Sequence, residues 1–188
     1  MTTDRVREAL RESIEAKEAL TDEDHKLILE MAYTMVEALS QGNKIIWMGN
    51  GGSAADAQHL SAELVSRFYK ERDGLPSLAL HANTSVLTAI GNDYGFDHVF
   101  ERQIEALARP GDVVVGISTS GNSPNVLLAI EKARDMGCLT IGLTGASGGR
   151  MADTVDLCLK VPSDDTPRIQ EAHITVGHII CEIVESIV

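Results

Sequence analysis

His59 and Glu63 stand four residues apart in a segment free of Pro and Gly, so on a helix they share one face. An acid/base pair, or two ligands of one metal ion, would need that spacing. Taken alone, it is also the ordinary neighbour pair of a helix surface. A second group, Gln170, Glu171, His173 and His178, lies in the last apolar-periodic segment. Positions eight apart on a helix lie about 80° from one another around the axis, so Gln170 and His178 can share a face across two turns. His173 points elsewhere on that geometry and is assigned a structural role or a subunit contact. Arg67, four beyond Glu63, either reaches an anionic ligand or is solvated.

Two strand-to-loop junctions supply an anion site. The apolar run Ile45 to Met48 passes at once into Gly49-Asn50-Gly51-Gly52-Ser53 and an alanine-rich helix. Glycines there allow close backbone approach, Ser53 can cap the helix, and first-turn amides attract anions. Val113 to Ile117 likewise runs into Ser118-Thr119-Ser120-Gly121-Asn122-Ser123, with Pro124 where a first helical turn accepts it. Neither loop is GxGxxG and neither carries the Walker lysine, so dinucleotides and nucleoside triphosphates are poor ligands. No GxSxG elbow supports a serine nucleophile.

The elements around these junctions alternate. Two amphipathic helices, with Thr21 and Asp24 as a cap and Gly42 as a stop, precede strands at 44–48, 77–81, 113–117, 139–143 and 157–161. Helices are predicted from Ser53 to about Tyr69, Thr84 to Ile90 (ending in Gly91-Asn92-Asp93), Asp97 to Ala108, Asn125 to Met136, and Thr166 to about Ile187, with a short turn around Met151. Strands apolar on both faces imply a parallel sheet between two helical layers. The loops after the first and third strands then line one crevice at its carboxyl edge. The first two helices carry more apolar surface than one sheet face needs, which suggests an oligomerisation arm over 1–42; packing across the sheet is the alternative.

The 188 residues, 44% hydrophobic, fit a single domain over 1–188. A net charge of −12 argues against nucleic acid and anionic membranes as partners. Cys138, Cys158 and Cys181 are widely spaced in apolar runs, which reads as buried reduced thiols. The charged start MTTDRVREALRES does not read as a signal peptide, and no apolar run approaches a membrane span. A cytoplasmic protein is expected.

The segments GNGGSAADAQHLSAEL, LTAIGNDYG, GISTSGNSPNV and TPRIQEAHITVGHIICEIVE together resemble the phosphoheptose isomerases of the sugar isomerase (SIS) domain family, through nearly the whole chain. The resemblance implies a three-layer α/β/α sandwich with a five-stranded parallel sheet, a homotetramer, and conversion of sedoheptulose 7-phosphate to D-glycero-D-manno-heptose 7-phosphate for ADP-heptose and lipopolysaccharide precursors. It implies that Ser118, Thr119, Ser120 and Ser123 hold the phosphate. Asn50, Gly51, Gly52, Ser53, Asn92 and Asp93 would surround the sugar, with Glu63, Arg67 and Gln170 as further substrate contacts. Glu63 and His178 would be catalytic, and His59, Glu63, Gln170 and His178 would surround one zinc ion (Zn2+) per chain. The stretch His81-Ala82-Asn83 departs from the pattern, since an acidic residue is common near Asn83.

That chemistry is intelligible from the residues. Ketose-aldose exchange needs one base to carry a proton from C1 to C2 and a second group to move protons between the two oxygens. A carboxylate and an imidazole suffice, and histidine titrates near neutrality. A non-enzymatic relative, such as a sugar-phosphate-sensing regulator or the protein that binds the replication initiator DnaA, is the alternative, as is an isomerase of a shorter sugar phosphate. The closest binding relatives tend to lose the carboxylate or the final histidine, and this chain keeps both.

Overall fold

A computed structural model describes residues 3–188. Helices α1 (Thr3–Glu18) and α2 (Asp22–Ser40) lead into β1 (Ile45–Gly49), α3 (Gly52–Val65), β2 (Ser77–Ala79) and α4 (Thr84–Tyr94). A 3₁₀ turn at Phe96–His98 precedes α5 (Glu101–Leu107), β3 (Val113–Ile117), α6 (Pro124–Asp135) and β4 (Leu139–Thr144). A second such turn, Arg150–Asp153, precedes β5 (Leu157–Lys160) and α7 (Thr166–Ile187). All five strands are parallel in the order β2-β1-β3-β4-β5. Alternation along the strands divides the core in two. Ile45, Trp47, Val113 and Val115 face α2, α3 and α7, whereas Ile46, Met48 and Val114 face α5 and α6. This is the expected α/β/α sandwich.

The winding of the chain across the sheet reverses between β1 and β3, where Gly49 pairs with Ile117. The loops that leave these two residues therefore open side by side at the carboxyl edge of the sheet, the usual ligand position in such folds.

The predicted cap of α2 is present: Thr21 and Asp24 bond reciprocally as a capping box. Of the two leading helices, α2 covers the sheet, burying Ile28, Met31, Ala32 and Met35. Only α1 leaves its stripe unpartnered, with Val6 and Leu10 each 62% exposed and Ile14 53%. It is tethered to α7 through Arg168, which donates to the Ala9 carbonyl at 2.9 Å and to Glu12 at 3.1 Å.

Four elements differ from expectation by more than one residue. Helix α3 stops at Val65, not Tyr69, because distant polar groups claim its last carbonyls. Helix α4 runs through Gly91, Asn92 and Asp93 and stops at Gly95, whose φ of 90° only glycine adopts readily. The predicted helix 97–108 is a 3₁₀ turn followed by the seven-residue α5. Strand β2 is limited to Ser77–Ala79. All three cysteines are free; Cys138 and Cys181 are buried and Cys158 is half-buried.

Candidate active site

The glycine loop is shaped by what a side chain would strike. A Cβ on Gly49 would lie 2.7 Å from the Ser53 carbonyl oxygen, so only glycine lets α3 start this close to β1. Gly51, at φ 56°, is the helix N-cap, and Ser53 lies buried in the first turn rather than capping it. Across the crevice the Ser118 and Ser123 hydroxyls share a hydrogen bond of 2.9 Å. Ser123 precedes Pro124 at the start of α6 without capping it, so the loop presents hydroxyls together with a helix N-terminus, an anion cradle. The two loops are joined by a reciprocal amide pair: Asn50 and Asn125 each donate to the other at 2.9 Å. Asn125 is a residue that sequence reasoning missed; its place in the first helical turn, one residue after Pro124 and the polar loop, was the available signal.

Behind the hydroxyl loop the backbone is packed against the loop after β4. A Cβ on Gly121, itself at φ 65°, would lie 2.0 Å from the Gly148 carbonyl oxygen, and one on Gly149 would lie 2.4 Å from that of Ser120. The cradle is thus braced by close main-chain contact, with the Asn122 side chain donating to the Ser120 carbonyl and accepting from the Arg150 amide.

Helices α3 and α7 pack in step. Gly177 receives Leu60, whose tip would be 2.4 Å from an added Cβ, and Gly52 receives the Gln170 amide at 2.7 to 2.8 Å from the same hypothetical atom. Beside the Leu60–Gly177 contact, His59 and His178 meet, their Nε2 atoms 2.8 Å apart and their rings edge to face. His59 Nε2 also lies 3.3 Å from Glu63 Oε1. Two imidazole nitrogens at that separation need one shared proton or a cation between them. The ligating atoms of His59, Glu63 and His178 all lie within 4.8 Å of one another, and zinc holds such donors about 3.3 Å apart at its usual bond lengths. The three residues therefore fit a divalent metal.

The other predicted residues are placed as follows. Gln170 shares the α7 face with His178 as expected, but its amide sits at Gly52, seven residues from His59 and so about 10 Å up the α3 axis. Within one chain it flanks the glycine loop rather than the histidines. Asn92 and Asp93 are exposed in the last turn of α4 and bond to each other at 2.7 Å. Arg67 lies beyond the end of α3, exposed, 3.7 Å from Glu71. Thr119 is half-buried and Ser120 exposed beside Gly145, Ser147 and Thr166 in a cavity of about 190 Å³.

Asp56 was also missed, although it continues the Gly52-His59-Glu63 stripe at helical spacing. Its Oδ2 is buried without a hydrogen-bond partner, and burial pushes its carboxyl up to about 6 against the pull of His59. Cys181, one turn beyond His178, is no nucleophile: burial, with Glu63 adding to it, pushes its thiol up to about 12.

The chain matches the SIS domain family over residues 10–145. It is 55% identical over 184 residues to the phosphoheptose isomerase of Aneurinibacillus thermoaerophilus, covering 97% of this chain and 93% of that one. The chain belongs to the phosphoheptose isomerases. Solved members of the family superpose closely. The Neisseria gonorrhoeae enzyme matches with a TM-score of 0.91 at 45% identity, over 97% of this chain and 98% of that one. The Francisella tularensis enzyme gives 0.94 at 38% identity, over 99% and 100%. Membership makes this chain a sugar-phosphate isomerase. Among the described residues no helix is long and apolar enough to cross a membrane.

His173 resolves to the structural role. It is fully buried and its Nε2 bonds the Thr144 carbonyl at 3.0 Å. Burial lowers its pKa to about 4, partly offset by that bond. The folded state thus keeps it neutral where the unfolded chain, near 6.5, takes up a proton. Its contribution is complete above pH 6.5 and is lost as pH falls from there toward 4, about 3 kcal/mol in all. Denaturant midpoints at pH 7.5 and pH 5 check this: wild type should lose stability between them, and His173→Gln should lose distinctly less.

Proposed function

We propose that this isomerase interconverts sedoheptulose 7-phosphate and D-glycero-D-manno-heptose 7-phosphate in the cytoplasm, supplying ADP-heptose for lipopolysaccharide precursors. The observation that carries the reading is the convergence of Glu63, from the helix α3 that leaves the glycine loop, and His178, from α7, on His59. The Ser118–Ser123 loop holds the phosphate and so anchors the far end of the sugar. Glu63 takes a proton from C1 of the open-chain ketose and returns it at C2. His178 moves a proton between the C2 and C1 oxygens, so that the enediol collapses to the aldose with no net change in protons, and it assists ring opening beforehand. Asn50, Gly51, Gly52, Ser53, Gln170, Asn92, Asp93 and Arg67 contact the sugar.

His59, Glu63 and His178 are the residues that would hold zinc, which when bound supplies positive charge beside the oxygen that becomes negative in the transition state. The functional unit is a homotetramer, because the α1 stripe and the 49% exposed His59 side chain both call for cover that one chain does not provide. Light scattering should give four chains, and a monomer with full activity would rule the assembly out. Metal analysis without chelator should give close to one zinc per chain, reduced sharply in His59→Ala.

The deciding experiment incubates the protein with sedoheptulose 7-phosphate and, in parallel, with five- and six-carbon ketose phosphates, following aldose formation. Turnover confined to the seven-carbon substrate is expected. Turnover of only a shorter sugar would replace the substrate assignment, and tight binding with no turnover of any would make the protein a sugar-phosphate sensor.

A further inference from the structure

A buried ion pair outside the site is bonded to the backbone around both acting side chains. Arg72 Nε lies 3.1 Å from Glu185 Oε1, the side chains only 11% and 2% exposed. The Arg72 guanidinium donates to the carbonyls of Glu63 at 3.0 Å, Leu64 at 2.9 Å, Ser66 at 3.3 Å and Asp73 at 3.0 Å. It therefore closes the carboxyl end of α3, where a cation opposes the helix dipole, and holds the carbonyl of Glu63 itself. The Glu185 carboxylate, two turns beyond His178 on α7, accepts from the successive amides of Phe68, Tyr69 and Lys70. Those bonds fix Phe68, whose ring centroid lies 5.6 Å from that of His178.

We propose that Arg72 and Glu185 are positioning residues for the isomerase: one rigid pair sets the last turn of α3 that carries Glu63 and the aromatic wall that orients His178. The inference rests on the reading of Glu63 and His178 as the acting groups. The hydrogen bonds of the pair run to backbone between Glu63 and Asp73 and not to the crevice loops at Asn50 or Ser118, so their effect falls on chemistry and not on the phosphate anchor. Burial alone would raise the Glu185 carboxyl, but the three amides and Arg72 outweigh it and hold it at about 2, so the pair stays charged throughout the working range.

Glu185→Gln keeps the shape and removes the charge, and Phe68→Ala removes the wall without touching the ion pair. Each is assayed as the full-length protein for kcat, KM and the Kd of inorganic phosphate, at a temperature below its measured Tm. Misplacement of acting groups costs up to about 100-fold in rate, so kcat should fall about 10- to 100-fold in Glu185→Gln, and by a smaller factor in Phe68→Ala. KM and the phosphate Kd should stay within about twofold, a split that general loosening would not produce. Loss of phosphate affinity in step with kcat, or wild-type kcat in a folded Glu185→Gln, overturns the proposal; if Glu185→Gln does not fold, wild-type kcat in Phe68→Ala does so. Glu63→Gln is run alongside. If it keeps its turnover, the underlying assignment of the base fails and the positioning role with it, whereas an inactive Glu63→Gln beside a fully active Glu185→Gln sinks the positioning role alone.

Discussion

Glu63→Gln should lower kcat by about 10² to 10⁴-fold, the usual worth of a positioned general base, while phosphate affinity stays near wild type. Glutamine fills the same space at the end of α3 and can still bond His59, 3.3 Å from the present carboxylate oxygen; what it lacks is the capacity to accept a proton from carbon. The hydroxyl loop proposed to anchor the phosphate follows β3, on a different element, and is untouched. Turnover assays paired with inorganic phosphate binding separate the two. Retention of near-wild-type turnover would remove Glu63 from the mechanism.

Gly121→Ala should damage the anion cradle and the fold together. A side chain at φ 65° costs about 1 to 2 kcal/mol, and a carbon forced to 2.0 Å from the Gly148 carbonyl oxygen adds roughly 1 to 3 kcal/mol as the loops part. For a chain of this length the sum lowers Tm by roughly 5 to 15 °C, and the displaced Ser120 and Ser123 weaken phosphate binding. Gly42→Ala is the control, since Gly42 has φ 80° but nothing within 4 Å of its hypothetical Cβ. Thermal melts and phosphate titrations of the two variants decide the matter. If Gly121→Ala is no worse than Gly42→Ala, the contact has no consequence.

The parts of this molecule that local chemistry determines were legible. Strands ended where Gly and Ser followed apolar runs, and the two loops came out adjacent because an alternating order of strands and helices leaves few arrangements of a parallel sheet. The hidden parts depend on partners far along the chain. Nothing between Val65 and Gly74 breaks a helix by composition, yet α3 stops early because Arg72 and Glu185 hold the following turn. Asn92 and Asp93 look like a helix stop after Gly91, but Gly95 performs that task. Gln170 and His178 were placed on one face correctly, whereas a shared face eight residues apart still spans about 12 Å, so the amide lies at the glycine loop and the imidazole at His59.

The glycine contacts fall into two kinds with different genetic futures. At Gly177 an added methyl meets the tip of Leu60, a side chain that a second mutation can shorten, so selection for restored growth or activity can return Leu60→Val or Leu60→Ala. At Gly121 and Gly149 the obstacle is main chain, which no codon change can trim. Lineages that lose either glycine have only reversion as a way back, so that seam should behave as an evolutionary ratchet while the helix interface beside it drifts by paired exchange.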